Sequence, residues 1–101
     1  MLHIVNKSPF ESTTLESCLR TATNGQGDVL LLIEDGVYAV TKNSVAGNML
    51  HEAMKDVKVC VLWPDAEARG IQDRVLEGVK MVDYAGFVDL VAESDNVQSW
   101  L

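Results

Sequence analysis

Cysteine, proline and cationic residues are all scarce in this chain, and it has no long apolar run. Cys18 and Cys60 stand singly and far apart, which makes neither the even, dense framework of a small secreted domain nor the paired spacing of a zinc site. Any role they have is as single thiols. No apolar stretch approaches the roughly 20 residues of a membrane helix. The opening MLHIVNKSPFE also lacks a basic region followed by a long apolar segment, so a cytoplasmic protein with no membrane partner is expected. Eight Lys plus Arg against fifteen Asp plus Glu give a net charge of -7. That is the wrong sign for neutralising phosphates, and direct nucleic-acid binding is not expected. The glycine-rich phosphate loops of dinucleotide- and nucleoside-triphosphate-binding proteins are missing, so kinase and dehydrogenase chemistries lack their binding element. His3 and His51 have no second ligand nearby in sequence, whereas metals are held by clusters of three or four. Neither a metal nor a cofactor is expected.

What remains is ordinary globular material: 101 residues, 48% hydrophobic and 23% charged, enough for one domain spanning 1–101 with a single core. Residues 2–5 (LHIV) read as a strand that must stop before Pro9, which has no N–H to give a ladder. Thr13 and Glu16 have capping-box spacing, and Leu15, Cys18, Leu19 and Ala22 then share one helical face up to the Asn24-Gly25 stop. Residues 29–33 (VLLLI) are uninterrupted and apolar, as expected of a central strand covered on both faces. Glu34-Asp35-Gly36 makes a turn, and 37–40 stays open between strand and loop. Asn43 or Ser44 opens a second helix with Val45, Met49, Leu50, Ala53 and Met54 inward. Residues 58–63 form a third strand ended by Pro64, then a helical turn at 65–69 stopped by Gly70, a fourth strand at 79–82, and a helix at 84–92 turning Tyr84, Phe87, Val88 and Val91 to the core. Residues 97–101 add a last extended segment. Strands and helices alternating in this way imply right-handed crossovers and a three-layer α/β/α domain with a mostly parallel sheet.

Cys60 lies in an apolar strand, where cysteine packs as a small hydrophobe. Cys18 has two readings. It shares a face with Leu15 and Ala22, which suits a core position. It also suits a sulfur acceptor, in which a thiolate attacks the outer sulfur of a donor persulfide, the donor leaves as a thiolate, and the new persulfide is surrendered to another thiolate. That chemistry needs exposure and a lowered pKa. Cys18 lies beyond the first helical turn, Glu11 and Glu16 oppose a thiolate there, and Arg20 is the only nearby cation, so a partner would have to complete the site. Glu34-Asp35 and Asp83-Tyr84 fall at strand C-terminal ends, where open α/β sheets place ligands; turn and cap chemistry accounts for both pairs as well. Tyr84, Phe87 and Trp100 suit either a partner-facing patch or the core.

Five stretches taken in order, LHIVNKSPFE at 2–11, LESCL at 15–19, LIEDGVYAV at 32–40, PDAEARG at 64–70 and VDYAGFVDLV at 82–91 with the ending VQSWL, resemble the TusB/DsrH family of sulfur-relay proteins, closer to the DsrH type. The resemblance implies a flavodoxin-like fold and a heterohexamer built with homologous DsrE/TusD-like and DsrF/TusC-like subunits, passing sulfur to a DsrC/TusE-like acceptor. In that family the principal sulfur-carrying cysteine belongs to the DsrE/TusD-like subunit, which makes this chain an accessory or second relay component of a sulfurtransferase complex. Cys18 matches the LESCL cysteine of DsrH-type members from sulfur-oxidising organisms. The resemblance therefore implies Cys18 as the candidate persulfide-carrying catalytic residue, and dissimilatory sulfur oxidation as the pathway. The alternatives it leaves are the TusB branch, which supplies sulfur for 2-thiolation of the tRNA wobble uridine, and a structural subunit that carries no sulfur.

Overall fold

The computed structural model describes residues 1–25 and 27–100. In chain order the elements are β1 (Leu2–Val5), α1 (Thr14–Thr23), β2 (Val29–Leu32), a 3-10 helix (Glu34–Val40), α2 (Val45–Ala53), β3 (Lys58–Leu62), α3 (Trp63–Ala68), a 3-10 turn (Gln72–Arg74), β4 (Lys80–Val82), α4 (Tyr84–Glu93) and β5 (Val97–Trp100). They form one five-stranded sheet in the order β4-β3-β2-β1-β5, with every neighbouring pair parallel. The continuously apolar β2 is its middle strand, as its composition requires.

Topology explains the layers. From β1 to β4 each connection steps one strand in the same direction, and a right-handed crossover keeps every one of those helices on one face. The last connection runs back across the sheet from β4 to β5, so the same handedness puts α4 on the other face. The core divides accordingly. Val5, Leu30, Leu32, Val59 and Val61 meet the α1, α2 and α3 side, while Leu2, Ile4, Leu31, Cys60, Leu62 and Val82 meet the side of Phe87 and Leu90 in α4. Alternation along each strand assigns the faces.

Local expectations fail at identifiable places. Thr13 precedes α1 but makes no side-chain cap; Ser12 Oγ accepts the Thr14 N–H at 3.1 Å instead. The open stretch 37–40 belongs to the 3-10 helix, whose Gly36 packs directly on the Val5 carbonyl. Ser44 caps α2 by accepting from the Gly47 N–H at 2.9 Å, but Val45 is 82% exposed and the inner face runs through Ala46, Gly47, Leu50 and Ala53, with Met49 and Met54 half-buried. Trp63 opens α3 rather than closing β3, because Pro64 fits a first helical turn, where its missing N–H costs nothing. The larger correction is α4. Phe87 and Leu90 pack on the sheet, whereas Tyr84, Val88 and Val91, expected in the core, are exposed. Residues 97–100 form β5, and the Leu101 end of that expected segment lies outside the described residues.

Candidate functional site

Cys18 sits on the inner face of α1 beside Leu15, Leu19 and Ala22 and has no exposed surface. Burial, reinforced by the negative charge of Asp28, pushes its thiol up to about 12, so in the closed chain it is a neutral thiol and a poor nucleophile. Cys60 lies on the opposite face of the sheet, also buried. Desolvation raises it too, with Lys58 and Lys80 pulling weakly the other way. The sheet stands between the two thiols, and neither is in a disulfide.

A polar cluster is buried on the same side as Cys18. His3, fully buried in β1, places Nε2 at 2.7 Å from Asp28 Oδ2, and the Trp100 indole N–H donates to His3 Nδ1 at 3.1 Å. An indole nitrogen only donates. Nδ1 must therefore be an unprotonated acceptor, and the ring is the neutral tautomer whose Nε2–H donates to Asp28. The Met1 ammonium donates to the other carboxylate oxygen at 3.3 Å. Burial works against the Asp28 charge, yet these hydrogen bonds and the ammonium outweigh it and hold the carboxyl below its ordinary value. With both ring nitrogens engaged, His3 has no lone pair left to take a proton from Cys18, and the two form no thiolate-generating dyad. Neither Asp28 nor this use of His3 and Trp100 was visible in the sequence. The only local signals are a histidine inside an apolar strand and an aspartate directly ahead of VLLL.

The acidic pairs at strand ends do structural work. Asp65 accepts the Glu34 N–H at 2.6 Å, which holds Glu34 in the left-handed region at φ 48°. Asp35 pairs with Arg69 Nε at 3.0 Å, and Asp83 caps α4 by accepting from the Gly86 N–H at 2.8 Å. Among the described residues no three His, Cys, Asp or Glu side chains gather to hold a metal ion, and no helix is long and apolar enough to cross a membrane.

The open surface is on the α4 side. Tyr84, Val88 and Val91, spaced four and three residues apart, make a helical stripe that is 61%, 65% and 38% exposed, and Met81 of β4 and Val97 of β5 are exposed as well. Between α4 and the β4 edge is a cleft of about 560 Å³ lined by Trp63, Lys80, Asp83, Asp89 and Leu90 among others. Monomeric soluble proteins seldom leave a continuous apolar stripe of this kind uncovered.

Comparison with known proteins follows the same outline. Residues 7–97 match the family model described as "DsrH like protein". The chain is 35% identical over 101 residues to Protein TusB of Pectobacterium parmentieri, covering 99% of this chain and 100% of that one. It is 34% identical over 102 residues to Protein TusB of Shigella flexneri, with the same coverage. Among solved structures, the ychN protein of E. coli superposes with a TM-score of 0.80 at 21% identity over 97% of each chain. A protein of unknown function from Methanobacterium thermoautotrophicum superposes with a TM-score of 0.73 at 20% identity, over 97% of this chain and 95% of that one. At such identities these two speak for the fold alone.

Proposed function

The chain belongs to the DsrH-like family, and from that premise we propose that it is a subunit of a sulfur relay serving tRNA thiolation, and that its task there is to hold the sulfur-carrying partner in shape. The carrying observation is the uncovered apolar stripe of Tyr84, Val88 and Val91 on α4. Its natural covering is a homologous subunit of the DsrE/TusD-like or DsrF/TusC-like kind, in a heterohexamer. Curated relatives bearing the TusB name favour the thiolation branch over the oxidation branch implied by the LESCL cysteine.

The sealed Cys18 supports the same division of labour. A thiol at about 12 with no exposed surface neither attacks a persulfide nor offers one to a DsrC/TusE-like acceptor while the chain stays closed, so the transferring thiolate belongs to a partner subunit. The acidic surface agrees with this, since sulfur leaves the complex on a protein and this chain need not touch RNA.

The experiment is co-expression with the two sibling subunits, followed by native mass spectrometry and by intact-mass reading after incubation with a persulfide donor. Val88→Asp is expected to dissolve the assembly, and Cys18→Ala to keep both the assembly and the transfer to the acceptor. If this subunit gains the mass of a sulfur atom and Cys18→Ala stops the transfer, Cys18 is a carrier and the scaffold reading is wrong.

A further inference from the structure

The hydrogen-bonded chain from Trp100 through His3 to Asp28 has no part in the subunit reading above, yet it ties the last strand to the first across 97 residues of sequence. β5 is an edge strand paired only with β1. Its Val97, Gln98 and Ser99 are exposed, and only Trp100 is even partly buried. The backbone ladder apart, the indole N–H on His3 Nδ1 is the one polar side-chain contact holding β5 to the interior among the described residues. Beneath it lies the buried pair of His3 and Asp28, and the Trp100 ring packs against the core cluster that contains Cys18.

We propose that Trp100–His3–Asp28 is a latch, and that the edge strand β5 is a strap whose release opens the Cys18 side of the core and leaves the Cys60 side closed. Lifting β5 removes the indole donor to Nδ1, which among the described residues has no other, and this buried acceptor must then be met by water. Water admitted at His3 reaches Asp28 and the region of Cys18 on the α1 face. Cys60 is on the other face, in β3, separated from β5 by both β2 and β1. The charged groups at the latch are the Asp28 carboxylate before β2 and the Met1 ammonium on that carboxylate, while Cys18 of α1 lies in the core cluster against which Trp100 packs. Lys58, Glu93 and Asp95 line the outer cleft at Met1. The latch stands or falls independently of the sulfur-relay reading.

The two buried thiols make the test internally controlled. The full-length chain and Trp100→Phe, which keeps a ring and removes the N–H, are treated with iodoacetamide under native conditions, and Cys18 and Cys60 are followed separately by peptide mass. Loss of one buried hydrogen bond should speed Cys18 labelling by about tenfold through local opening, with Cys60 unchanged. Equal acceleration of both thiols means global unfolding and overturns the latch, and so does no acceleration of either. Hydrogen exchange on the unaltered chain is a second measurement. The β5 amides and the Trp100 indole N–H should exchange together and ahead of the β2 amides, and exchange of β5 in step with β2 contradicts the proposal.

Discussion

Alkaline pH separates a structural thiol at Cys18 from an activated one. In the folded chain the thiol lies at about 12 against an ordinary value of 9.0, and in the unfolded chain it returns to that ordinary value. A folded pKa above the unfolded one means stability that is fully present below about pH 9 and is lost as pH rises through the window from 9.0 to about 12. Each pH step of one within that window removes on the order of 1 kcal/mol, so the Cys18 contribution is about 1 kcal/mol smaller at about pH 10 and about 2 kcal/mol smaller at about pH 10.5 than at neutrality. Cys18→Ala removes this titration and adds an offset of about 1–2 kcal/mol from lost packing, which does not vary with pH. Urea unfolding of both proteins in reductant, from neutral pH to about pH 10.5, is expected to show the unaltered protein losing its advantage over the variant by those amounts. Every other group is common to the two proteins and cancels in the difference. Parallel curves refute the burial reasoning. A difference that grows with pH instead means a thiol more acidic than the ordinary one, as a sulfur carrier needs.

Three further outcomes follow from the geometry. Gly36→Ala puts a methyl group against the Val5 carbonyl oxygen, backbone that cannot step aside, and is expected to cost at least about 2 kcal/mol in a thermal or urea melt. Glu34→Gly relieves the left-handed backbone at φ 48° while keeping the N–H that Asp65 accepts, and should stabilise by about 0.5–1 kcal/mol. Asp28 is held below its ordinary value, so its contribution is present above an unfolded pKa of about 3.9 and lost as pH falls through the lower folded value. Asp28→Asn should be less stable at neutral pH by about 1–3 kcal/mol and should fall less steeply with acid than the unaltered protein, as read by circular dichroism from about pH 6 to about pH 2.

Much of the fold was legible because its signals are local. An unbroken VLLLI at 29–33 reads as a strand covered on both faces, and its β2 is the middle one. Ser44 and Asp83 cap helices through contacts three residues away, which spacing alone suggests. The alternation of strands and helices, with the handedness of crossovers, then implies the parallel three-layer class. The family was legible as well, because its motifs are short runs of chain. Single helix faces were less so. In YAGFVDLV the apolar residues fall on more than one side, so periodicity cannot say whether Tyr84, Val88 and Val91 or Phe87 and Leu90 meet the sheet. Val45 carried the same ambiguity at the start of α2, where the chain enters the helix from outside the core.

Class, element order and the single-thiol character of the two cysteines were determined by the chain's own residues, since each depends on neighbours within a few positions. Tertiary structure alone decided that Cys18 is sealed beside a buried Asp28, that α4 turns a stripe of apolar side chains outward, and that Trp100 reaches His3. Those facts depend on which strands become neighbours and on which face of the sheet each helix returns to. Strand order and crossover handedness set both, and they act between residues that have no local reason to meet.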